Sequence, residues 1–131
     1  IKSAIKSGLK IIFCIGETLK ERRQKKTNQI LKRQIEKGLK SIKNKSKIII
    51  AYEPVWSIGT GVIPKEADLN KTILFIKSRF IKKYPKILYG GSVNTNNADK
   101  LKKIPSIDGF LIGGASQNPK KFIDIIKKTI N

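Results

Sequence analysis

"KIIIAYEPVWSIGTG", residues 47–61, carries a strand and the residues that end it. From Ile48 to Tyr52 the side chains show no polar alternation, the pattern of a strand covered on both faces in a parallel sheet. The run then meets a carboxylate, Glu53, followed by Pro54, the lone tryptophan Trp56, and Gly59 and Gly61 around Thr60. A strand ending in a charge, before a loop that is stiff at its start and permissive at its end, needs a reason beyond packing.

Three further runs read the same way: 11–15, 87–89 and 110–112. Between the first two strands, Ile30, Leu31, Ile35, Leu39 and Ile42 recur at helical spacing; Leu69, Ile73, Ile76 and Phe80 repeat the stripe before the third. A shorter helix is predicted over 94–103, opening at one of the polar residues 94–97. The last helix takes Asn118 as N-cap and Pro119 as first residue, and buries Phe122, Ile125, Ile126 and Ile130. An opening helix closes at Gly8. The order is α followed by four βα units, which demands right-handed crossovers and a parallel sheet.

Two closures compete. An open doubly wound sheet with a dinucleotide site wants G-x-G-x-x-G after its first strand. The nearest pattern, Gly59-x-Gly61-x-x-Pro64, lacks the third glycine and follows the second strand. Four βα units make half of an α/β (β/α)8 TIM barrel, which typically needs about 250 residues.

The 131 residues allow one domain and contain no methionine, so the chain, starting at Ile1, is read as a fragment or processed piece. Its 29 Lys and Arg against 9 Asp and Glu leave a net charge of +20. In stretches such as ILKRQIEKGLKSIK, 30–43, the lysines fall between apolar positions and form a solvated helix face. Aromatic residues are not interleaved with them, so loose polyanion attraction is expected but no dedicated nucleic-acid partner. No stretch has the length of a membrane span or the form of a signal peptide, and no membrane partner is expected. A single cysteine, Cys14, agrees with a reducing, cytoplasmic setting. It is read as a buried packing residue, because the chain has no histidine to activate it. No cluster has metal-ligand spacing, and neither metal nor cofactor is expected.

Parallel α/β folds meet ligands at the C-terminal ends of their strands. There stand Gly16-Glu17-Thr18, Glu53-Pro54, Gly90-Gly91-Ser92 and Gly113-Gly114-Ala115-Ser116. Glycine pairs leave main-chain N–H groups unobstructed, which suits a phosphate. Glu53, at such a rim, is placed to act as a general base. Residues 54–61 have the parts of a lid: Pro54 fixes the entry, Trp56 brings apolar mass, and Gly59 and Gly61 let the backbone fold over. Trp56 could instead fill the core. Glu17 is a candidate partner for its indole or for a cation.

Taken together, "CIGETL" (14–19), "AYEPVWSIGTG" (51–61), "ILYGGSVN" (87–94) and "DGFLIGGAS" (108–116) resemble the C-terminal half of the triosephosphate isomerase family, in family order. The resemblance implies that residues 1–131 are the last four βα units of one TIM-barrel domain whose N-terminal half is absent. It implies interconversion of dihydroxyacetone phosphate and D-glyceraldehyde 3-phosphate through an enediol, in glycolysis and gluconeogenesis, without cofactor or metal, by a homodimer. On the same basis Glu53 matches the proton-shuttling base. Gly59, Ser92, Gly113 and Gly114 match the phosphate-binding positions, and Pro54, Trp56, Gly61 and Tyr89 the lid and its closure. Two departures stand out. The lysine, asparagine and histidine that the family also needs would fall before Ile1, so the piece alone is expected to be inactive. The distal lid arm reads Val62-Ile63-Pro64, where many relatives have lysine, a small polar residue and alanine.

Overall fold

The computed structural model describes residues 1–81 and 84–130. Four strands, β1 (Ile11–Ile15), β2 (Ile48–Tyr52), β3 (Ile87–Tyr89) and β4 (Gly109–Phe110), form one parallel sheet in the order of the chain. Ile15 pairs with Tyr52, Tyr52 with Tyr89, and Tyr89 with Phe110, so the strands end side by side and bring their following loops to one rim. The helices are α1 (Lys2–Lys6), α2 (Leu19–Arg23), α3 (Thr27–Leu39), α4 (Glu66–Lys77), α5 (Ala98–Leu101) and α6 (Pro119–Ile130). Short 3-10 turns, Val55–Ser57 and Gly114–Gln117, follow β2 and β4.

The expected stripes form the core. Leu31, Ile35 and Leu39 of α3 and Leu69, Ile73 and Ile76 of α4 pack on Ile48, Ile50 and Ile87 of the sheet. Each such side chain, fully buried, contributes about 1.5–3 kcal/mol. Thr18 caps α2, accepting from the Glu21 N–H at 3.3 Å while the Glu21 carboxylate accepts from the Thr18 N–H at 2.8 Å. Asn118 caps α6, its Oδ1 accepting from the Lys121 N–H at 3.1 Å. Gly8, with φ +83°, follows α1.

Four expectations are corrected. Coverage on both faces fails for β1, where Ile12 is 47% exposed and Cys14 is exposed rather than buried. Among the described residues β1 has a strand on one side only. The fourth strand is Gly109–Phe110 instead of 110–112, for β4 is the other edge and pairs only with β3. The helix over 94–103 shrinks to Ala98–Leu101 because asparagines bond the backbone first: Asn97 Oδ1 accepts from the Asn94 N–H and Asn94 Oδ1 from the Asn96 N–H, both at 2.8 Å. On α6 only Ile125 is buried; Phe122, Ile126 and Ile130 stay exposed, since the sheet beneath ends at β4. No helix among the described residues is long and apolar enough to cross a membrane.

Candidate active site

Glu53 leaves β2 with its N–H donating to the Ile15 carbonyl at 2.7 Å, so the strand pairing itself fixes its backbone. Its side chain extends across the end of β3. A Cβ on Gly90 would stand 2.6 Å from Glu53 Cγ and 3.1 Å from Cδ, so glycine there makes room for the carboxylate. Gly16 serves the same residue from the other side, a Cβ on it colliding with the Glu53 carbonyl. Gln34 of α3 holds Gly16 in place, accepting from its N–H at 3.0 Å and donating to its carbonyl at 2.9 Å. Cys14 lies against Glu53. Partial desolvation, and then the hydrogen bond to the carboxylate and its negative charge, push the thiol up to about 11.

Glu17 is fully buried and fully engaged. Tyr52 donates its hydroxyl to the carboxylate at 3.1 Å, the Trp56 indole donates at 3.0 Å, and Arg22 pairs with it at 3.5 Å. The Arg22 guanidinium also lies 4.6 Å from the centre of the Trp56 ring. Burial first, then the charge and hydrogen bond of Glu17, raise the Tyr52 phenol well above its usual range. Trp56 thus sits between the two alternatives: half-buried, and clipped by the loop after β1 to a carboxylate inside the fold.

The loop after β2 lies down on β3. Gly59 and Gly61 take φ of +69° and +77°, a region that favours glycine. The Gly61 N–H donates to Ser92 Oγ at 2.9 Å, and the Ser92 hydroxyl donates in turn to the Ser57 carbonyl. Ser57 Oγ donates to the Val62 carbonyl at 2.6 Å and meets the Tyr89 hydroxyl at 2.9 Å. Burial raises the Tyr89 phenol, and the Arg22 charge partly offsets it.

The two glycine pairs differ in use. Gly90 accommodates Glu53, and a Cβ on Gly91 would collide with the Tyr89 and Ser57 hydroxyls. Gly113 and Gly114 have open space where a Cβ would go, among the described residues. A cleft of about 860 Å³ is lined by Glu53, Gly59, Gly61, Ser92, Gly113 and Gly114. Pro54 is buried beneath the loop and Tyr89 beneath Ser57, so neither lines it. Lys121, in the first turn of α6, also lines the cleft and was not singled out from the sequence, where it is one lysine among many. Gln34 and Ser57 went unremarked for the same reason: neither type signals chemistry in a linear reading. Among the described residues no group of His, Cys, Asp or Glu could hold a metal ion.

A parallel sheet of βα units, with a cleft at the C-terminal strand ends that a carboxylate and a diglycine turn both line, is the architecture of a segment of a (β/α)8 barrel. The family profile described as triosephosphate isomerase matches residues 1–129. Similar proteins carrying that name include those of Thermodesulfovibrio yellowstonii, 46% identical over 97% of this chain and 54% of the relative, and Debaryomyces hansenii, 43% identical over 98% and 54%. That of Candida albicans is likewise 43% identical over 98% of this chain. The chain belongs to the triosephosphate isomerase family. It spans about half the length of the curated relatives it matches.

Proposed function

We propose that residues 1–131 form the C-terminal half of a single (β/α)8 domain that interconverts dihydroxyacetone phosphate and D-glyceraldehyde 3-phosphate in glycolysis and gluconeogenesis. Glu53 takes the carbon-bound proton beside the substrate carbonyl, leaving an enediol, and returns it to the neighbouring carbon. The electrons move within the substrate, so the step needs no redox cofactor. The carbonyl oxygen requires a proton donor, and with no histidine in these residues that group comes from the other half of the barrel. Gly59, Gly113 and Gly114 offer N–H donors to the phosphate, and Ser92 stands at the same cleft. Pro54, Trp56, Gly61 and Tyr89 shape and close the lid, loop closure being a behaviour for which this family is itself a standard example. The complete protein works as a cytoplasmic homodimer.

The observation that carries this reading is the shared cleft, Glu53 on one wall and the Gly113-Gly114 turn on another. The exposed Ile12, Phe122, Ile126 and Ile130 support the need for a second half, being apolar surface at the two open sides of the sheet. The test is turnover of both triose phosphates by the full-length protein, with Glu53→Asp as the decisive variant. Withdrawing the carboxylate by one methylene should lower kcat about 100-fold, the scale of an ångström's misplacement. Normal turnover by that variant would remove Glu53 as the base.

A further inference from the structure

We propose that Ser57 is a positioning residue of the lid, its hydroxyl forming the junction that ties the distal arm of the loop to β3 and so holds the Gly59 and Gly61 amides over the cleft. The proposal rests on the reading of residues 54–61 as a lid.

Ser57 is fully buried at the base of the loop, and its single hydroxyl proton goes to the Val62 carbonyl at 2.6 Å. The 2.9 Å contact with Tyr89 is therefore one in which Tyr89 donates and Ser57 accepts. Val62 lies beyond both glycines, so this bond closes residues 58–61 into a ring with Ser57 as its clasp. The main chain of Ser57 does related work: its carbonyl accepts from the Ser92 N–H at 3.2 Å and from the Ser92 hydroxyl, which itself receives the Gly61 N–H at 2.9 Å. One residue thereby joins the loop's proximal base, its tip, its distal arm and the end of β3.

A side-chain clasp suits this arm. Pro64 is buried and has no N–H, so the main chain at that point offers no donor by which to anchor it. Ser57 takes hold through a carbonyl instead. Room for the junction is provided by Gly91, since any Cβ there would strike both hydroxyls. Alanine at 57 would keep the helical turn and the buried methylene while deleting the donor to Val62 and the acceptor for Tyr89.

The experiment reads the lid without substrate, as hydrogen exchange at the Gly61 amide of the full-length protein, alongside inorganic phosphate affinity and triose phosphate kinetics. Ser57→Ala should speed Gly61 exchange roughly tenfold, the effect of one buried hydrogen bond. Tyr89→Phe, which leaves the Val62 bond in place, should have a smaller effect, and the double variant no more than Ser57→Ala alone, because that substitution already removes the acceptor for Tyr89. Phosphate should bind more weakly to each, whereas Glu53→Asp should leave Gly61 exchange unchanged. Unaltered exchange in Ser57→Ala, or additive effects of the two substitutions, would overturn the junction; faster exchange with undiminished phosphate binding and turnover would overturn its positioning role. A parent protein that turns over no triose phosphate, yet loses Gly61 protection and phosphate affinity on Ser57→Ala, would sink the isomerase reading while upholding the junction.

Discussion

Gly90-Gly91 and Gly113-Gly114 are the same dipeptide after adjacent parallel strands, each with serine close behind, yet they do opposite things. The first pair is occupied from within: Glu53 lies over Gly90, and the Tyr89 and Ser57 hydroxyls crowd Gly91. The second is left open to the cleft. Glycine in one place permits the protein to pack against itself, and in the other leaves the backbone open to the cleft. Only the neighbours, contributed from far along the chain, distinguish the two.

The comparison is broken most directly at Gly90. Gly90→Ala should displace the Glu53 carboxylate, lowering kcat of the full-length protein about 100-fold. It should also cost about 1–3 kcal/mol of stability through overpacking, measured by denaturant unfolding. If both values stayed at those of the parent, the space at Gly90 would not be needed by Glu53. Gly114→Ala sharpens the contrast from the open side. Stability should stay within about 0.5 kcal/mol of the parent, while inorganic phosphate should bind about tenfold more weakly, the size of one charge-assisted hydrogen bond.

The smallest effect probes the far side of Glu53. Cys14 is exposed but its thiol is held up to about 11, so alkylation should be slow at pH 8 and its rate should rise with pH through about 11 rather than 9. Since folding favours the protonated thiol, the linked stability is fully present below pH 9.0 and is lost as pH rises through about 11. Glu53→Gln should bring the alkylation profile back toward that of an ordinary thiol. An unshifted profile in the parent would show that the carboxylate does not rest against Cys14.

Much of this was legible in the linear chain because hydrophobic pattern is local. The bounds of β1, β2 and β3 follow from branched apolar runs, and the buried faces of α3 and α4 from 3.6-residue periodicity. Glu53 was visible because a carboxylate ending an apolar strand is costly without a purpose. Glu17, a candidate partner for the Trp56 indole or for a cation, meets both. What pattern could not supply was the presence or absence of a covering layer. Cys14 and Ile126 belong to apolar stripes that read as buried, and they stand exposed at the two sides of the sheet. Nor could it supply polar contacts across long separations. Ser57 meets Tyr89 across 32 residues and Gln34 meets Gly16 across 18, and serine and glutamine are unremarkable until those partners arrive.

Gln34 carries one last implication. The Ile15 carbonyl points toward β2, so the N–H of the same planar peptide, that of Gly16, points to the outer margin of β1. Gln34 meets it there with one acceptor and one donor, the pair of groups that an adjoining chain would present. A primary amide thus takes the place of a neighbouring backbone and seals that margin at the C-terminal end of β1. A segment docking alongside β1 finds its pairing groups only below Gly16, so its register is limited from above.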